Sequence, residues 1–245
     1  RHLPADRVPL IPFLRYALKV GLVNVVTLLN YRIDLYIVAL FTTPAALGLY
    51  GVAVSGAESL QVATQVAAIV TVPHIGALDE GAAARLVARC ARNNLALAFA
   101  ICAVVFLVAP WVVGALYGAR FLPAVPALRV LLAGVVALSM GSVISSFFTL
   151  NLGKPQISLY VMFVSIAICG AITLWLVPTM GILGAAIGTA VSYTVAQVIN
   201  TIVFSRRAGL ALGHVWILQR QDFTLYTELA TEGWRRVRVR LGASS

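Results

Sequence analysis

NLALAFAICAVVFLVAPWVVGALY, residues 94–117, decides the fold class. It runs 24 residues without a charge. About 20 apolar residues in a helix cross the roughly 30 Å of bilayer hydrocarbon. Backbone polar groups in lipid must be satisfied within the chain, so the choices are helices or a closed barrel. Barrel strands are short and alternate apolar with polar residues. This stretch is long and continuous, which selects helix.

Five further stretches have the same character. Together they predict spans over Pro12–Phe41, Ala46–Val72, Asn94–Tyr117, Pro126–Leu150, Gln156–Leu176 and Ile182–Phe204. Breakers separate them: Thr43-Pro44, Pro73, Gly76, Gly118, Pro123, Gly153-Lys154-Pro155, Pro178 and Gly181. The expected fold is an all-α integral membrane protein, a six-transmembrane-helix bundle over residues 12–208. A lead-in over residues 1–11 precedes it and a basic tail over residues 209–245 follows. The chain starts at Arg1 with no cleavable leader visible, so it is expected to be a piece of a longer protein.

Composition agrees. The chain is 61% hydrophobic and 11% charged, where a soluble domain carries roughly a quarter charged residues. The net charge of +10 rests on 18 basic residues. Their placement is lopsided. Fifteen fall on one side of the six predicted spans: Arg1, Arg7, Arg15, Lys19, Arg85, Arg89, Arg92, Lys154, Arg206, Arg207, Arg220, Arg235, Arg236, Arg238 and Arg240. Only Arg120 and Arg129 fall on the other. By the positive-inside rule both ends are cytoplasmic. The basic balance therefore reads as topology and contact with the lipid bilayer, and no nucleic-acid motif accompanies it. Arg85, Arg89 and Arg92 recur at helical spacing on Leu78–Arg92, which predicts a surface helix at lipid headgroups leading into the third span.

Cys90, Cys102 and Cys169 form no CxxC pair and read as small apolar packing residues. Gly184, Gly188 and Ser192, like Ala137, Gly141 and Ser145, lie four residues apart and predict close helix approach. His74 after Pro73 reads as a helix-end residue. The loops hold no nucleophile–base set, no carboxylate dyad and no glycine-rich phosphate cradle, so the chain reads as no enzyme and needs no cofactor.

Arg32, Asp34 and Glu58 are the exceptions, charges at predicted membrane depth. Each costs about 2.5–3.5 kcal/mol to insert, and such residues face partners or water-filled paths. Arg32 and Glu58 lie equally far from the first turn, roughly 20 Å along each helix, so they fall at one depth. Asp34 is two residues from Arg32, about 200° around the helix. One of the two should face a neighbouring helix and the other a cavity. Asn24, Thr27 and Asn30 extend a polar stripe along the first span. Gln61 and Gln65 extend another from Glu58. Such stripes are either hydrogen bonds between helices or the wall of a hydrated path. An Arg32–Glu58 pair is likewise either a lock between two helices or part of a lining for an anionic substrate or a coupling ion.

Several stretches carry a resemblance. They are Asn30-Tyr31-Arg32-Ile33-Asp34, Ala46-Leu47-Gly48-Leu49-Tyr50, Ala53 to Glu58 with Pro73, and Tyr117-Gly118-Ala119-Arg120-Phe121 with Pro123 and Ala124. Gly153-Lys154-Pro155, Val177-Pro178, Gly181 to Ala186 and Ser192-Tyr193 complete them. In this order the chain resembles the C-terminal half of lipid-linked oligosaccharide flippases, within the multidrug/oligosaccharidyl-lipid/polysaccharide transporter superfamily. The resemblance implies one lobe of a twelve-helix transporter in the bacterial plasma membrane, with an N-terminal lobe as partner. It implies alternating-access movement of an isoprenoid-linked glycan, with H+ or Na+ as a candidate coupling ion. Arg32 is the position suited to the pyrophosphate headgroup, and Asp34, Glu58, Asn30, Asn24 and Gln61 are the other candidates for a substrate or ion pathway. Two other readings fit the same residues. One is a drug or cation antiporter of this superfamily, using Asp34 or Glu58; the other is a non-transporting membrane subunit of a glycan-synthesis complex.

Overall fold

The computed structural model describes residues 10–69, 79–154, 156–210 and 213–216. The described residues are helical throughout, with no strand among them. Helix α1 is Leu10–Phe41, α2 is Pro44–Ile69 and α3 is Glu80–Tyr117. A 3-10 segment, Ala119–Ala124, leads into α4, Val125–Leu138. Then come α5, Gly141–Ser146, and a π-helical turn, Phe147–Asn151. The last elements are α6, Gln156–Met180, α7, Ile182–Ala208, and one turn, α8, Gly213–Trp216.

Four stretches among the described residues are long and apolar enough to cross a membrane: Glu80–Tyr117, Ala119–Asn151, Gln156–Met180 and Ile182–Ala208. The chain is thus an all-α membrane protein. Helices α1 and α2, at 32 and 26 residues, have the length. They also carry Asn30, Arg32 and Asp34, and Ser55, Glu58 and Gln61, at mid-helix. Large apolar side chains point outward, among them Leu40, Trp111, Leu116, Tyr160 and Trp175, the last 77% exposed. Hydrocarbon tolerates such a surface where water would not.

Local chemistry sets the helix ends. Thr43 caps α2 through a bond from the Ala46 amide to its Oγ1, 3.3 Å, with Pro44 in the first helical position. Asp79 caps α3 in the same way, accepting from the Ala82 amide at 3.2 Å. Gly181, at φ 56°, turns α6 into α7. Gly209, at φ 64°, ends α7 with a bond from the Leu210 amide to the Ser205 carbonyl, 3.1 Å.

One expectation is corrected and two are refined. The arginine-bearing segment leading into the third span is continuous with it, as the first third of α3. Its Ala83, Ala84, Val87, Ala88 and Ala91 are buried at helical spacing and carry the helix on unbroken. Arg85 on this helix is exposed, Arg89 half-buried and Arg92 buried. Over 38 residues α3 is about 57 Å long, well beyond the hydrocarbon. Pro178 is no breaker either. It sits in the last turn of α6, which continues to Met180 until Gly181 stops it. The fourth span is not continuous, being interrupted at Ser139-Met140 and again at the π turn. His74, Pro73 and Gly76 lie outside the described residues, as do most of the lead-in and of the tail beyond Trp216.

The chain divides into two compact units: residues 1–57, 109–134 and 155–196 in the first, the rest in the second. In the first unit α1 packs along α6. There α6 and α7 form a close hairpin built on small residues, as the Gly184/Gly188/Ser192 stripe predicts. A Cβ at Gly184 would lie 2.6 Å from the Leu176 carbonyl carbon and oxygen. One at Gly188 would collide with Thr173. In the second unit Phe147 stacks edge-on with Phe204 at 5.1 Å and with Phe148 at 6.2 Å, all three fully buried.

Gly184→Ala should therefore destabilise the protein by about 1–3 kcal/mol, because backbone rather than a flexible tip meets the added methyl. Gly48→Ala, with nothing within 4 Å, should be neutral or slightly stabilising. Chemical unfolding in detergent compares the two.

Candidate functional site

The first unit gathers polar side chains around one carboxylate. Asp34 is only 3% exposed. Its Oδ2 accepts from the Tyr50 hydroxyl at 2.6 Å and from the Thr189 hydroxyl at 2.8 Å. Its Oδ1 accepts from the Leu35 amide at 2.8 Å. Helices α1, α2 and α7 thus each send a group to the same acid. Tyr50 is fully buried, so its phenol has given up water for this bond. The shell extends further. The Thr189 oxygen lies 3.5 Å from the Tyr50 oxygen and 3.8 Å from Cys169 Sγ on α6. Cys169 in turn lies 3.8 Å from the Thr173 hydroxyl. The Ser192 hydroxyl bonds the Thr189 carbonyl at 2.9 Å and closes the α7 side.

The other residues chosen from the sequence fall in both units. Asn30 lies one turn before Asp34 and is buried, its Oδ1 without a hydrogen-bond partner among the described residues. Thr27, three residues earlier, donates to Met162 Sδ at 3.3 Å, so this part of the α1 stripe packs on α6. The Tyr31 ring meets Tyr193 of α7 edge-on at 6.2 Å. Arg32 is exposed while Asp34 is buried, as two positions 200° apart on a helix require. Asn24 lies on α1, and its side chain is outside the described residues. Glu58 is half-buried and Gln61 buried, both in the second unit.

Sequence reasoning missed Tyr50, Thr189, Cys169 and Thr173. Tyr50 was visible within the Ala46–Tyr50 stretch but had no partner assigned to it. Thr189 sits between Gly188 and Ser192, and only the small-residue face of that turn was read. Asp34 and Thr189 are 155 residues apart, and nothing local to either announces the other.

Chemically the arrangement is a carboxylate inside an apolar bundle, met by donors from three directions. It can hold helices in register, and it can exchange a hydroxyl donor for a proton or a small cation. Among the described residues no group of three or more His, Cys, Asp or Glu side chains stands ready to hold a metal ion. A family model described as polysaccharide biosynthesis protein matches residues 2–126, just over half of the chain. The chain belongs to that polysaccharide biosynthesis family. The matched region holds Tyr50 and all six residues chosen from the sequence, Asp34 among them, while Thr189 and Cys169 lie beyond it. No curated protein and no solved structure matches the chain. In the Asp34 shell, burial and a charged side chain coincide with donors from three helices.

Tyr50→Phe and Thr189→Val should each lower stability by about 0.6–1.7 kcal/mol, the range for hydrogen bonds between membrane helices. Their effects should be non-additive, because both hydroxyls serve the same Oδ2. A double-mutant cycle in detergent unfolding measures the coupling. Strict additivity would mean the two bonds act independently.

Proposed function

We propose that the chain is one six-helix lobe of a twelve-helix transporter that carries lipid-linked oligosaccharide or polysaccharide precursors across a bacterial plasma membrane. In this reading α1, α2, α3, the interrupted α4–α5 stretch, α6 and α7 are the six spans, and both ends are cytoplasmic. The chain is the C-terminal lobe, and an N-terminal lobe completes the cavity. No covalent chemistry is involved. The lobe offers a charged headgroup a polar route while the isoprenoid tail stays in lipid.

Membership of a polysaccharide biosynthesis family supports the substrate class. The observation that carries the mechanism is the split of charge on α1. Asp34 is drawn inward into a shell from α2 and α7, and Arg32 is exposed on the other side of the same helix. A charge at membrane depth costs about 2.5–3.5 kcal/mol unless it faces a partner, water or an anion. A pyrophosphate headgroup is such an anion, and arginine suits phosphate oxygens because its planar fork binds two at once. The Asp34 shell is the place for a coupling ion, H+ or Na+, whose binding would compete with the hydroxyl donors and loosen α1 from α2 and α7. An electrical gradient supplies about 2.3 kcal/mol per charge per 100 mV to drive such a step. Asp34 also favours a second reading, antiport of a cationic drug, because a buried carboxylate is what a cation site requires.

The test uses the complete transporter in vesicles with a lipid-linked saccharide, scored by the sugar's accessibility to an added glycosidase. Arg32→Ala should cut translocation by at least about tenfold with the folded yield unchanged. Normal translocation, or loss of the folded protein, would overturn the role given to Arg32. Efflux of a cationic dye that fails on Asp34→Asn, with saccharide movement intact, would favour the second reading.

A further inference from the structure

Regular helices dominate the described residues, so a span that breaks twice is informative. The helix stops at Ser139-Met140, resumes for the six residues of α5, and ends in the π turn Phe147–Asn151. All of this lies in the second unit. Irregular backbone at membrane depth persists only where side chains re-satisfy it. Here Asn94 of α3 donates its side-chain amide to the Ser139 carbonyl at 2.5 Å. On the next helical face Gly141 lies against Gln197 of α7, so closely that a Cβ would sit 2.7 Å from Gln197 Oε1. The Ser139 hydroxyl turns back to the Val136 carbonyl, and the Ser146 hydroxyl to Ser142. At the lower end the Leu152 amide reaches the Phe147 carbonyl at 3.1 Å, one residue beyond the α-helical pattern.

Two amides flank the break, and each is left half-used. Asn94 is 4% exposed and Gln197 1%. Asn94 Oδ1, Gln197 Oε1 and the Ser142 hydroxyl have no hydrogen-bond partner among the described residues. A buried acceptor left without a donor costs about 1–3 kcal/mol. A well-packed apolar side chain would serve a static span better at such positions. Spare acceptors beside a broken helix are what a span with two arrangements requires, because each arrangement uses a different subset. Phe147, locked between Phe148 and Phe204, is the fixed end of such a movement.

We propose that the break at Ser139-Met140, held by Asn94 of α3 and with Gln197 of α7 packed against Gly141, is a hinge at which α5 changes its direction relative to the turn before it, Val135–Leu138. In the arrangement seen, Asn94 holds the Ser139 carbonyl. In the other, the amides of the reopened turn move to the Asn94 and Gln197 oxygens. The reason for the movement rests on the transport reading above, but the hinge itself is a property of the span and is testable without substrate.

Hydrogen–deuterium exchange on the complete protein in lipid nanodiscs, with no saccharide present, reads it directly. Wild-type amides over residues 139–152 should exchange at least about tenfold faster than those at the middle of α6. Asn94→Leu should raise the rate over residues 139–146 by a further factor on the order of ten, with α6 unchanged. Gln197→Leu is the second variant, expected to act on the same amides, should Asn94→Leu fail to fold. Protection over 139–152 equal to that of α6 in the wild type, or variants that speed exchange evenly along the chain, would overturn the hinge. If exchange behaves as expected while saccharide translocation is absent, the hinge stands and the transport reading falls. If translocation proceeds through a rigid, protected 139–152 segment, the reverse holds.

Discussion

A carboxylate in an apolar bundle has to be surrounded by donors, and in this chain the donors for Asp34 come from Tyr50 and Thr189. That requirement ties three helices at one point. Helix α1 contributes the acid, α2 the phenol and α7 the hydroxyl. The apolar side chains around it gain by burial in any of several packings, because lipid is as apolar as they are. Hydrogen bonds to Asp34 distinguish one packing from the rest. The same economy explains why Arg32 points the other way: two residues along a helix, it cannot share the shell. Thus one side of α1 faces inward polarity, and the other presents a cation.

Close approach of α6 and α7 is the second condition. Thr189 and Cys169 meet only because Gly184 and Gly188 let the two helices come within backbone contact of Leu176 and Thr173. Without those glycines the Cys169–Thr173 edge of the shell would withdraw, and the Thr189 hydroxyl would shift with α7. Packing and polarity are therefore not separate features of the first unit. Small residues set the distance, and the carboxylate uses it. The second unit follows another pattern, where a broken helix is held by the Asn94 amide of its neighbour and anchored by three stacked phenylalanines.

Much of the fold was legible in residues alone. Long apolar runs specify helices, and Thr43-Pro44 and Gly181 mark turns for stated stereochemical reasons. The glycine stripe on α7 was read as close packing, and the added-Cβ distances bear that reading out. What was not legible depends on long-range pairing. Pro178 looks like a stop, yet the helix runs on to Gly181, whose amide still bonds the Val177 carbonyl at 2.9 Å. The interruption at Ser139-Met140 has no breaker residue to announce it; Gly141 alone is tolerated in many membrane helices. Of the site, Asp34 and Asn30 were identifiable as polar residues in a hydrophobic helix. Their partners lie on α2 and α7, and no local pattern connects them.

The central claim is that α1 carries its two charges to different environments, Asp34 into a closed shell and Arg32 onto an open face. The most direct measurement is labelling of single cysteines at positions 32 and 34 by a membrane-impermeant thiol reagent. It is made in the complete protein in vesicles, after Cys90, Cys102 and Cys169 have been replaced by serine or alanine. Rapid labelling at 32 with position 34 silent is the expected result. Labelling at 34 with 32 silent, or equal labelling of both, would contradict the account.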